Sequence, residues 1–135
     1  TMEGWLCGTP LQSPDKDFDH NMCELNGVSN PENVAMMEDL NQLLISDRQD
    51  GMRRNNAVFI HDFDSKSLTR IFTSPEGGET TNPAYWPEIH GNAYISMVVQ
   101  HPLAQHTDGS SDWTYPTAAA RQIDNAYTGY LYFNR

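Results

Sequence analysis

Positive charge is what this chain has least of. It carries 8 Lys and Arg against 18 Asp and Glu, a formal net charge of -10, and its isoelectric point lies near 4.6. Nucleic-acid binding depends on Lys and Arg to neutralise phosphates, so that class of partner is excluded. Acidic excess suits divalent cations or simple solubility. Long apolar runs are also missing: no stretch approaches the ~20 residues of a membrane span, and no lipidation signal is present. Cysteine is scarce. Cys7 and Cys23 are close enough to close one modest loop, which a disulfide in an oxidising compartment would stabilise by ~3 kcal/mol; two unpaired thiols are the alternative. There is no Gly-rich phosphate loop, zinc-ligand spacing or Gly-x-Ser-x-Gly elbow, and neither cysteine has a recognisable nucleophile's partner beside it. The first residue is Thr1, which reads as a processed or excised piece. Mean hydropathy is -0.63, polar for a closed core, yet the Trp, Tyr and Phe content excludes disorder.

What is present is a series of short β-patterned segments. Residues 1–29 hold Gly4, Gly8, Pro10, Pro14 and the acidic run Asp15-Lys16-Asp17-Phe18-Asp19 without a sustained period, and read as an irregular N-terminal arm. From Asn33 onward, strands are predicted over 33–37, 43–46, 57–63 and 68–73. Polar turns separate them at Glu38-Asp39-Leu40-Asn41, over 47–56, and at Asp64-Ser65-Lys66-Ser67. Four strands in about 45 residues have the length of one β-propeller blade. A second unit starts at Glu79, turns at Pro87-Glu88-Ile89-His90-Gly91-Asn92 and continues in a long strand over 93–100, ended by Pro102. Residues 103–121 read as a surface excursion, 116–126 as a short stretch with some helical character, and 127–133 as a final strand. The fold class is therefore all-β, a partial propeller of one and a half to two antiparallel blades over 30–135. Propellers need roughly 4 to 8 blades, so other sequence or other chains must complete it.

The segments Asn30-Pro31-Glu32-Asn33-Val34, Leu43-Leu44-Ile45, Leu68-Thr69-Arg70-Ile71, Pro75-Glu76-Gly77-Gly78-Glu79-Thr80-Thr81 and Val98-Val99-Gln100-His101-Pro102, and more loosely the tail Tyr127-Thr128-Gly129-Tyr130, resemble the C-terminal part of the alkaline phosphatase PhoX family. That resemblance implies a secreted or periplasmic six-bladed propeller that hydrolyses phosphate monoesters, with calcium and iron held on channel carboxylates and an iron pair bridged by a cysteine from earlier in the chain. This piece would supply the last blades and one or two calcium ligands, and be inert alone. Ser46-Asp47-Arg48-Gln49 departs from the Gly-Glu-Asp-Thr of similar sequences, so no ligand is assigned there. Two other readings stand beside it: a non-catalytic structural or adhesive module of an extracellular assembly, and a lactonase-like or sugar-binding propeller.

Three residues are the metal candidates. Glu32 follows a proline that fixes the backbone and precedes an inner strand, so its carboxylate is expected in the channel, where hard cations take oxygen ligands. Asn33 adds an amide oxygen, or caps the strand. Glu79 holds the matching place at the head of the second unit. Gln100 and His101 mark a strand end, His101 reading more readily as a packed corner than as a ligand or base. His20, His61, His90 and His106 read as surface residues. Asp15, Asp17 and Asp19 lack the glycine and distal glutamate of a calcium loop and read as a solvated face. Trp86, Trp113, Tyr85, Tyr94, Tyr130 and Tyr132 read as packing between blades.

Overall fold

A computed structural model describes residues 6–11, 21–48, 53–103, 105–106, 113–114 and 126–134. Two antiparallel sheets dominate it. The first is the meander β1 (Pro31–Met37), β2 (Gln42–Asp47), β3 (Ala57–Asp62) and β4 (Leu68–Thr73), in that spatial order. The second is β5 (Glu79–Ile89), β6 (Asn92–Gln100) and β9 (Tyr127–Asn134), with β9 returning to pair with β6. A small ladder of β7 (Gln105–His106) and β8 (Trp113–Thr114) lies within the excursion between them. Among the described residues neither large sheet closes into a barrel, and no helix is long and apolar enough to cross a membrane. The predicted helical character over 116–126 falls almost wholly outside the described residues.

Alternation fixes the layers. On β6, Ala93, Ile95, Met97 and Val99 are buried while the residues between them are half-buried, the period-2 signature of a sheet covered on one face. Ile95 and Met97 meet Met37, Leu44 and Val58 of the first sheet, and this cluster is the core between the sheets. The other face of the first sheet is covered as well. Leu6 and Val28 of the N-terminal segment pack on Ile45, Ala57 and Phe59, so β2 and β3 are buried on both sides and read as unbroken apolar runs, as doubly covered strands do. The arm expected from sequence is irregular in backbone, folded back on itself by Leu11 N–H to Met22 O at 2.7 Å and Glu24 N–H to Thr9 O at 2.9 Å, and serves as a lid on the sheet. It also explains His61, expected at the surface and found buried: His61 follows Ala57 and Phe59 in the same alternation and sits edge-on to Phe63 at 5.4 Å.

Several connections differ from the expected ones. The turn Glu38–Leu40 is a 3-10 turn, closed by Asn41 in the left-handed region at φ 50. The β5–β6 turn is shorter than the six residues assigned to it. His90 (φ 52) and Gly91 (φ 84) alone reverse the chain, both with the positive φ that a two-residue hairpin requires, so β5 runs on to Ile89. Pro83 and Pro87 lie within β5, and the register with β6 shifts between Thr81 and Ala84 and again between Trp86 and Ile89. A proline donates no N–H to a ladder, and these irregularities accommodate the two prolines.

Candidate functional site

The start of β5 is built by the preceding loop. Ser74 Oγ donates to Gly78 O at 2.7 Å and accepts from Asn56 N at 3.0 Å, while Asn56 Nδ2 donates to Gly78 O at 3.0 Å. Gly77 has φ 71, and a Cβ at Gly78 would come within 3.0 Å of Pro75 O and 3.1 Å of a Val99 methyl. The Gly77-Gly78 pair is therefore what lets the chain turn tightly enough to deliver Glu79 and Thr80 onto the end of the first sheet. Thr80 completes the junction. Its buried hydroxyl lies 2.9 Å from Asp47 O and 2.8 Å from Ala57 O, and accepts from Asp47 N at 3.2 Å.

The three candidate ligands lie on the first strands of the two sheets. Glu79 is buried, with 6% of its surface exposed, whereas Glu32 is exposed. Asn33 is the link between the strands: its Oδ1 accepts from Thr81 Oγ1 at 2.5 Å and from Asn82 N at 3.1 Å. Both lone pairs of that oxygen are thus engaged in tying β1 to β5. Among the described residues no three His, Cys, Asp and Glu side chains form a group suited to a metal ion. By type, the two carboxylates match calcium, but calcium takes roughly 6 to 8 oxygens, so they would be part of a larger shell. His101 ends β6 in the left-handed region at φ 49. The Asp15, Asp17 and Asp19 series lies outside the described residues.

The most buried charges were not among the sequence candidates. Asp47, at the end of β2, pairs with Arg53 at 3.2 Å, both side chains essentially without solvent contact. Arg53 also donates to Cys23 Sγ at 3.0 Å, to Glu24 O at 2.9 Å and to Gly27 O, and lies 5.6 Å above the Phe59 ring. Asp47 Oδ2 accepts from Ser29 N at 3.0 Å. This cluster clasps the N-terminal segment to the sheet, and the guanidinium's contacts are all made inward. Cys7 is exposed, Cys23 is buried, and no disulfide joins them. The one sequence signal was an Asp at a strand end followed six residues later by Arg53-Arg54, a pattern too common to single out.

The aromatic side chains divide. Tyr85 packs against the inter-sheet core. Trp86, Tyr94, Tyr130 and Tyr132 fall on the opposite face of the second sheet, where register places Trp86 beside Tyr94, Tyr94 beside Tyr132 and Ser96 beside Tyr130. They do not pack between the two sheets present: Trp86 is 50%, Tyr132 62% and Tyr130 68% exposed. The Trp113 side chain lies outside the described residues. Compared with known protein families, with characterised proteins and with solved structures, the chain matches none.

Proposed function

We propose that this chain is the C-terminal part of a secreted, metal-dependent phosphomonoesterase of the PhoX type, and that its two sheets are consecutive blades of a propeller completed by further sequence or chains. The observation that carries the reading is the junction of β1 and β5. Blades radiating from one axis bring their first strands together, and here those strands are tied by Asn33 to Thr81 and Asn82 with the buried carboxylate of Glu79 beside the tie in sequence. Calcium takes carboxylate oxygens, and Glu79 is the buried carboxylate next to this tie in sequence. Glu79 and Glu32 would contribute to the calcium shell, Asn33 chiefly by fixing the two strands; iron, if present, would rest on residues elsewhere. The exposed aromatic face of β5, β6 and β9 is in keeping with completion by other sequence, since a contiguous exposed apolar face marks an interaction surface.

The alternative, a non-catalytic module with the same architecture, is favoured by one observation: the best-buried cation, Arg53, is committed to the N-terminal segment and offers nothing to a phosphate. Calorimetric calcium titration separates the two. Glu79→Gln keeps the shape of the side chain and removes its charge. The enzyme reading expects Glu79→Gln to lower calcium affinity at least tenfold, and Glu32→Gln to lower it less, as befits an exposed ligand. Unchanged affinity in both variants would reject the site.

A further inference from the structure

The sheets leave a cavity between them at the end away from Glu79. It measures about 300 Å³ and is walled by Met37, Leu40, Ile60, Ile95 and Phe133, with Gln42 supplying a polar group. Small-molecule sites begin at about this size and share this make-up, an apolar wall with few polar groups. Tyr85 forms part of the wall and belongs also to a second, wider recess of about 570 Å³ lined by Met36, Glu38, Asp39 and Pro87. The Tyr85 ring thus borders both spaces, and its hydroxyl donates to Asp39 Oδ2 at 3.2 Å. Among the described residues neither is lined by a Lys or Arg.

We infer that these recesses form one binding site for an organic cation with a short apolar tail. The tail would take the cavity between Ile60, Ile95 and Phe133. The head would sit in the outer recess, where Glu38 and Asp39 supply negative charge and the Tyr85 ring supplies a face that attracts ammonium groups. Charge selects the head group. With two carboxylates in the lining, no compensating cation among the described residues and a chain of net charge -10, an anionic amphiphile such as a fatty acid is repelled, and a neutral one gains nothing from the outer recess. The site owes nothing to the phosphatase reading: its residues come from the far end of β1, the 3-10 turn, the middle of β5 and the facing positions of β2, β3, β6 and β9, and none is a candidate metal ligand.

The test is calorimetry on the full chain with decyltrimethylammonium below its micelle concentration, with decyl sulfate and tetramethylammonium as the tail-matched and head-matched controls. One-site binding of decyltrimethylammonium, at least tenfold tighter than either control, is expected. Asp39→Asn with Glu38→Gln should weaken it at least tenfold and leave decyl sulfate no weaker than before. Leu40→Trp places a large ring at the cavity from an exposed position and should abolish binding without disturbing the core. Equal affinity for decyl sulfate would overturn the charge selection. Binding that survives Leu40→Trp would place the cation elsewhere on the acidic surface and overturn the site.

Discussion

The guanidinium of Arg53 meets the carboxylate of Asp47 at 3.2 Å, with both side chains shut off from water. Removing one member of such a pair strands the other, and the cost is about 3–5 kcal/mol, against at most about 1 kcal/mol for an exposed pair. Arg53→Met is therefore expected to lower the urea-unfolding stability of the chain by several kcal/mol. Arg54→Met, whose partner Glu76 lies in solvent, should change it little. Equal, small effects of the two substitutions would mean that the clasp on the N-terminal segment is dispensable.

Thr80 joins the sheets through one hydroxyl. Thr80→Val preserves shape but withdraws an acceptor from Asp47 N and a donor from the Asp47 and Ala57 carbonyls. Buried polar groups left short of partners cost about 1–3 kcal/mol. Chemical denaturation should show a loss in that range for Thr80→Val and a much smaller one for Thr80→Ser, which keeps the oxygen. Equal stability of the valine variant and the parent would remove the hydroxyl from the account of the junction.

Asp62 governs the β3–β4 turn. Its carboxylate accepts from Gln42 Nε2 at 2.9 Å, Ser65 N at 2.7 Å, Ser65 Oγ at 2.8 Å and Asp64 N at 3.1 Å. The Gln42 bond first, then the Ser65 bonds, lower its pKa from 3.8 to about 2. A lowered carboxylate pKa means that the folded turn prefers the charged form. Its contribution is present above pH 3.8 and is lost as pH falls through about 2. Carbon-detected NMR titration should place the Asp62 midpoint near 2 and move it upward in Gln42→Leu. A midpoint already at 3.8 in the parent would contradict the hydrogen-bonded turn.

The local parts of the fold were legible in the sequence. β4 spans the residues expected, 68–73, because turn residues bracket an apolar run, and β1 to β3 differ at their ends by a few residues at most. What was not legible depended on distant contacts. β9 pairs with β6 across an intervening excursion, and nothing local specifies that choice. His61 is buried because the segment around Val28 lies over its face of the sheet, and the Asp47–Arg53 pair, although only six residues apart, is surrounded by contacts from Cys23, Glu24 and Ser29 of that segment. Trp86, Tyr94, Tyr130 and Tyr132 share the face of the second sheet turned away from the first, and alternation along β6 and β9 says which residues share a face and not what that face meets.

Hydrolysis of p-nitrophenyl phosphate at alkaline pH tests the proposed phosphatase function most directly. The measurement calls for the chain assembled with the sequence or chains proposed to complete a propeller, loaded with calcium and iron. Turnover is expected that disappears on calcium chelation, returns on calcium addition, and falls at least tenfold in Glu79→Gln while Trp86→Phe retains it; the 135-residue chain alone should be inactive. No turnover by the metal-loaded assembly, or turnover indifferent to chelation and to Glu79→Gln, would contradict the account.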